Sequence, residues 1–250
     1  MSQQGIQPLL DFDFLQDFAR KHADEYRNAE PFPHIVIDHF LDEKSIDLLL
    51  ATFPEPKKRD NHDDESQKLK DGTVAQYKKH WVSMELRVGL PIRHFYWELN
   101  SAEFISFLQT LTGVSALIPD PYRAGGGLHE SKAGGFLMVH ADYNKQPETD
   151  LDRRLNIIVY LNKNWKESYG GDLELWTADM KTCVKKVAPL AGRAVIFSTG
   201  SDTYHGHPTP LTCPPDMSRK SISTFYYSNG RPVGESDRPH VTIWKKTPAV

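Results

Sequence analysis

From residue 117 onward the chain breaks into short apolar stretches separated by turn signals. Phe136 to Val139, Leu155 to Leu161, Asp172 to Trp176, Arg193 to Phe197 and Ser221 to Tyr227 are the stretches, with Gly-Gly, Ser-Thr-Gly and Pro-rich breaks between them. Many short strands with regular turns leave a sandwich or a barrel as the solution, because each strand must bury one face against another. The preceding segment has a different period. Leu15, Phe18, Ala19 and His22 fall at helical spacing, and Pro31-Phe32-Pro33 stops that helix. His34 to Ile37 reads as a strand, and Asp42 can cap a second helix running to about Thr52. Helix is predicted again near residues 91 to 112. There Asn100 and Glu103 resemble a capping box, Phe104, Phe107, Leu108 and Leu111 share one face, and Gly113 ends it. The polar stretch 54–72 reads as a solvated loop, or else as a mobile lid over a site.

Bulk properties exclude several classes. The 250 residues carry 30 basic and 33 acidic side chains, which gives no electrostatic footprint for nucleic acid or for an anionic membrane surface. No apolar run is long enough to span a bilayer, and the N-terminus lacks the basic-then-apolar order of a signal peptide. Cys183 and Cys213 make neither a disulfide framework nor a zinc motif, so a reducing, cytoplasmic setting is expected. No motif specifies an oligomeric state.

The chemistry concentrates in His140-Ala141-Asp142, His205 and Arg219. Residues two apart on a strand point to the same side, so His140 and Asp142 enter one cavity while Ala141 faces away. A distant strand then supplies the third ligand. His205 is favoured; His207, which alternation points the same way, and His129 are its rivals, although His129 follows the flexible Gly125-Gly126-Gly127 and is expected to line the mouth of the site. Two imidazoles and one carboxylate form a facial set that leaves open positions on a non-haem Fe(II). Arg219, Ser221 and Ser223 share one face of the last strand. An arginine pointing into a barrel requires an anionic partner, and a planar guanidinium suits a carboxylate. Together these imply Fe(II), O2 and 2-oxoglutarate.

The ordered series of motifs over roughly residues 120–230 resembles the prolyl 4-hydroxylase-type branch of the 2-oxoglutarate and Fe(II)-dependent dioxygenases. His140-Ala-Asp142, the stretch Ile157 to Trp165, Gly170-Gly-Asp-Leu-Glu-Leu175, Arg193 to Phe197, Tyr204-His205-Gly206 and Arg219 to Tyr227 carry the likeness in that order. Pro31 to Leu41 is similar to the opening strand of related bacterial and yeast members. The resemblance implies a mainly β fold with helices: a double-stranded β-helix (jelly roll) core over 117–230, a mainly helical N-terminal part (1–116) packed on it, and a C-terminal extension (231–250), all within one domain.

The resemblance also implies roles. His140, Asp142 and His205 would bind the iron, Arg219 and Tyr160 would hold the distal carboxylate of 2-oxoglutarate, and Asn156 matches a neighbouring polar position. Ascorbate is a possible reductant for such an enzyme. The implied reaction is hydroxylation of an unactivated C–H bond with release of succinate and CO2. Departures lie in the loop Tyr143 to Arg154, in the interval between His205 and Arg219, and before the iron motif, where a tyrosine of the hypoxia-factor hydroxylases is missing. These border the substrate pocket, where His129, Glu130, Arg123, Tyr143 and Asn144 are the candidate contacts. The substrate class stays open among a small molecule, an amino acid, a peptide and a protein side chain. Two other readings remain: a metal-dependent cupin-type enzyme that does not use 2-oxoglutarate, and a non-catalytic jelly-roll binding module.

Overall fold

Capping and periodicity place the helices of the computed structural model, which describes residues 7–55, 66–82, 88–120, 122–123, 125–232, 235 and 238–248. Its elements, in chain order, are α1 (Phe12–Arg27), β1 (His34–Ile37), α2 (Glu43–Ala51), β2 (Ser66–Lys68), β3 (Val74–Val82), α3 (Leu90–Leu99), α4 (Ala102–Thr112), β4 (Ile118–Pro119) and β5 (Gly127–Ala141). Then come β6 (Asp152–Tyr160), β7 (Leu173–Trp176), β8 (Cys183–Val187), β9 (Ala194–Ser198), β10 (His205–His207), β11 (Ser218–Ser228) and β12 (Ile243–Trp244). Asp11 and Asp42 cap α1 and α2, accepting from the backbone N–H of Phe14 and Ser45 at 2.9 and 2.7 Å. The helix expected over 91–112 is two helices. Ser101, not Asn100, is the cap of the second, its Oγ accepting from Phe104 N at 3.2 Å. Gly113 closes α4 in the left-handed region, at φ 76°.

The strands form an antiparallel sheet in the order β1-β9-β6-β11-β5-β10-β7-β8, curled toward a barrel, with β3, β12 and β4 joined to its inner strands. Alternation along β6 divides two environments. Leu155, Ile157 and Val159 belong to the core shared with Phe95, Phe104 and Leu108 of the helices, whereas Tyr160 and Ile158 pack on the other side with Phe197 and Leu175. Tyr226 ties the layers together, its hydroxyl donating to Leu99 O at 2.8 Å.

β5 serves both halves of the barrel. Residues 127–132 pair with β11, while Leu137, His140 and Ala141 pair with β10 and β12. Between these halves the strand bends at Gly134-Gly135. Gly134 has φ 81°, and a Cβ on Gly135 would lie 2.7 Å from Lys132 O, so neither position tolerates an ordinary side chain unchanged.

The N-terminal part is less helical than expected, because β3 leaves it to pair with β5. A bulge at Lys78, φ 45°, breaks the alternation of this strand. β2, β8 and β12 were not anticipated either, and residues 56–65 of the expected loop or lid lie outside the described residues. No helix among the described residues is long and apolar enough to cross a membrane.

Phe104 is fully buried where α4 meets Phe40, Phe107 and Tyr226. Phe104→Ala is expected to cost about 3–5 kcal/mol of unfolding free energy, read from the midpoint of a urea titration.

Candidate active site

The pairing of β5 with β10 sets His205 directly opposite His140. Gly206 makes this close approach possible, since a Cβ there would sit 2.8 Å from Met138 O and 2.9 Å from Val139 Cα. The two imidazoles lie with ring centroids 4.6 Å apart. Asp142 follows β5 at once, its Oδ1 3.5 Å from His140 Nε2 and its Oδ2 3.6 Å from His205 Nε2. One ligand atom from each of the three lies within 4.8 Å of the others.

Backbone carbonyls fix both tautomers. His140 Nδ1 donates to Met138 O at 2.9 Å, and His205 Nδ1 donates to Thr203 O at 3.0 Å. A carbonyl only accepts, so each proton sits on Nδ1 and each Nε2 turns a lone pair toward the carboxylate. Burial, then the neighbouring His140, pulls His205 down to about 4, so its ring stays neutral near pH 7. Burial alone would raise the Asp142 carboxyl, but Arg153, His140 and His205 hold it well below the ordinary carboxylate range. Two lone pairs and a carboxylate converging beyond hydrogen-bond distance fit a divalent cation between them, and the N,N,O set is the one Fe(II) takes with positions left open.

Arg153 was not singled out from the sequence. It is fully buried, donates from Nη2 to Asp142 Oδ2 at 2.9 Å, and lies over the rings of Phe225 and Tyr143 at 3.4 and 4.7 Å. It reaches the inner face because the register between β6 and β11 skips Arg154, which inverts the alternation there. Without that bulge the Arg153-Arg154 pair reads as the charged end of a loop. Asn156 Nδ2 donates to the same Oδ2 at 3.3 Å. Asn156, expected beside the co-substrate, thus contacts Asp142 from the face of β6 that also carries Tyr160. Arg153 Nε, Arg153 Nη1 and Asn156 Oδ1 have no protein partner.

Arg219 and Tyr160 face each other on the same interior. Arg219 Nε donates to Gly171 O at 2.7 Å and Nη2 to the Tyr160 hydroxyl at 3.2 Å. Gly171 is required there, because its Cβ would come within 3.1 Å of Arg219 Cδ. Arg219 is 4% exposed, yet no carboxylate pairs with its guanidinium among the described residues. Burial pushes the Tyr160 phenol up, so it stays protonated as a donor.

The remaining candidates divide. His129 points inward from β5, not from a flexible loop at the mouth: Lys79 Nζ donates to its Nδ1 at 2.9 Å, and its Nε2 lies 3.1 Å from Ser223 Oγ. His207 is buried in the same interior with both ring nitrogens unpartnered, and it is not among the converging ligand atoms. Glu130 takes the opposite face of β5, bound to Ser218 at 2.6 Å and Lys220 at 3.1 Å. Asn144 is engaged by Arg238 O and His240 N. Both have structural partners where substrate contacts were expected. Arg123 lies over the Tyr96 ring at 5.0 Å, and the Tyr143 hydroxyl meets that of Tyr227 at 3.0 Å. Trp244 of β12, in the expected C-terminal extension, lies against His140 at 4.9 Å between ring centroids.

Two outcomes follow from this geometry. Arg153→Leu, by freeing Asp142 to rotate, should weaken metal binding about 10–100-fold in a chelator competition. In the metal-free protein, the folded state keeps His205 neutral down to about pH 4 while the unfolded chain takes up its proton near 6.5. The unfolded state therefore binds more protons in that window, and stability should fall as pH drops from about 6.5 to about 4, as followed by thermal melts.

Residues 126–227 match the family model of the 2OG-Fe(II) oxygenase superfamily. Among solved structures, a Pseudomonas putida prolyl-4-hydroxylase is similar over 85% of this chain and 100% of its own, with 19% identity and a TM-score of 0.54. A Trichoplax adhaerens prolyl hydroxylase, solved in complex with a peptide fragment of the hypoxia inducible factor oxygen degradation domain, is similar over 86% of this chain and 91% of its own, with 16% identity and a TM-score of 0.57. A Phytophthora capsici prolyl 4-hydroxylase is similar over 91% and 68%, at 18% identity and a TM-score of 0.53. These likenesses establish the double-stranded β-helix core. The segment that matches the 2OG-Fe(II) oxygenase superfamily model contains the converging His140, Asp142 and His205 as well as Tyr160 and Arg219, and over that segment the chain is similar to the superfamily.

Proposed function

We propose that the protein is an Fe(II)- and 2-oxoglutarate-dependent hydroxylase whose substrate is a prolyl residue in a peptide. His140, Asp142 and His205 hold the iron, and Arg219 with Tyr160 holds the distal carboxylate of the co-substrate. The observation that carries this reading is the buried Arg219: a guanidinium without a carboxylate partner, facing the interior that holds the triad. A buried cation of this kind is costly until an anion pairs with it. Iron and 2-oxoglutarate supply the activation of O2 that oxidises an unactivated C–H bond, with succinate and CO2 as by-products.

The chain's own residues orient and shield. Arg153 and Asn156 hold Asp142 in one rotamer, and Arg153 with the two imidazoles keeps it ionised. The Met138 and Thr203 carbonyls hold the imidazoles, and Phe197 and Trp244 cover them with apolar surface that excludes water. The unpartnered Nε and Nη1 of Arg153 suit a substrate carbonyl oxygen near the iron. The peptide held by the Trichoplax relative supports a peptide here, with ascorbate as a reductant. Cys183 and Cys213, both free, support a cytoplasmic setting. The near-balanced charge supports a partner other than nucleic acid or membrane.

The test is an anaerobic titration of Fe(II)-loaded protein with 2-oxoglutarate, following the visible metal-to-ligand charge-transfer band. A band is expected, and Arg219→Ala should need at least about tenfold more 2-oxoglutarate, the loss of one charged pairing. A metal-loaded protein without the band points to a cupin-type enzyme that does not use 2-oxoglutarate. A folded protein that takes up no metal points to a binding module.

A further inference from the structure

A second cation stands beside Arg219. The registers of β11 with β5 and of β5 with β3 align Arg219, Ser131 and Lys79 in one row across the three strands. Directly opposed residues share a face, so Lys79 reaches into the interior from the far side of β5. Ser131, small and buried, stands between the two long side chains in that row. Lys79 is half-buried, and burial, and then the charge of Arg219, pull its ammonium down to about 8.

Three features mark this corner as a ligand site. Lys79 has one hydrogen bond, to His129 Nδ1, and no carboxylate within ion-pair distance among the described residues. His129 is kept neutral by burial and by Lys79 and Arg219, so it accepts from the ammonium without neutralising its charge. His207, 3% exposed, has both ring nitrogens unpartnered, and its surroundings include Arg219, Lys79, His140 and His129. Two like charges enclosed together repel, and a fold keeps such a pair where an anion comes between them.

We propose that Lys79 is a second cationic contact for 2-oxoglutarate, acting with Arg219 so that the pocket selects a dicarboxylate over a monocarboxylate 2-oxo acid. Lys79 is a positioning and specificity residue here, on a strand outside the segment that matches the superfamily model. This inference rests on the 2-oxoglutarate reading above.

Calorimetric titration of the anaerobic Fe(II)-loaded protein separates the two. The probes are 2-oxoglutarate and 2-oxovalerate, which has the same carbon chain without the distal carboxylate. In Lys79→Met, 2-oxoglutarate is expected to bind at least about tenfold more weakly, and the preference for it over 2-oxovalerate should shrink. Lys79→Gln keeps a donor for His129 without the charge and should behave the same way. The ligand-free Lys79→Met protein should melt no lower than wild type, since it loses a charge that Arg219 repels; a purely structural lysine would lower that melting temperature. Wild-type affinity in both variants, to within about twofold, overturns the role of Lys79 and leaves the function standing. A wild-type protein that binds metal but no 2-oxoglutarate overturns the function and this inference together.

Discussion

The bend of β5 at Gly134-Gly135 is the constraint on which the interior depends. One strand must pair with β11 along its first half and with β10 along its second, and those partners lie in different parts of the barrel. A straight strand would carry His129 and Ser131 along one wall and leave His140 to run on past the edge. The bend turns the chain so that both ends of β5 look into the same space. Arg219, paired opposite Ser131, then faces a triad whose ligands come from the far side of the bend. The opposite bulge at Lys78 lets β3 follow the turn and deliver Lys79.

Within that space the charges are arranged by degree of satisfaction. Asp142 is fully engaged, with Arg153 and Asn156 on one oxygen and the two imidazoles close by. That engagement outweighs the cost of burying a carboxylate and keeps it ionised. Arg219 is satisfied along one edge only, by Gly171 O and the Tyr160 hydroxyl. The contrast divides labour: the metal side is preset by protein contacts, while the arginine side is left for an incoming anion to complete.

Much of this was legible in the chain because it follows short-range rules. His140 and Asp142 read as cavity partners from a spacing of two, and the inward face of β11 read from the alternation Arg219, Ser221, Ser223. The helix over Ala102–Thr112 was visible in its apolar stripe, although its cap fell one residue later, on Ser101. What escaped depends on irregularities. Arg153 is inward only because β6 bulges at Arg154, and Lys79 lies in a strand whose period is broken at Lys78. A bulge adds a residue without a compositional mark, so a side chain beyond it is assigned to the wrong face. Glu130 erred in the opposite sense. Its neighbours in sequence suggested a loop, while the strand that contains them sends it away from the site.

Trp244 carries a consequence for synthesis. His140, Asp142, Tyr160, His205 and Arg219 all lie within residues 140–219. The indole that covers His140 comes later in the chain, on β12, which pairs beside Ala141 and His140. The order of translation thus brings the cover of that imidazole last, after every polar group it shelters has been made.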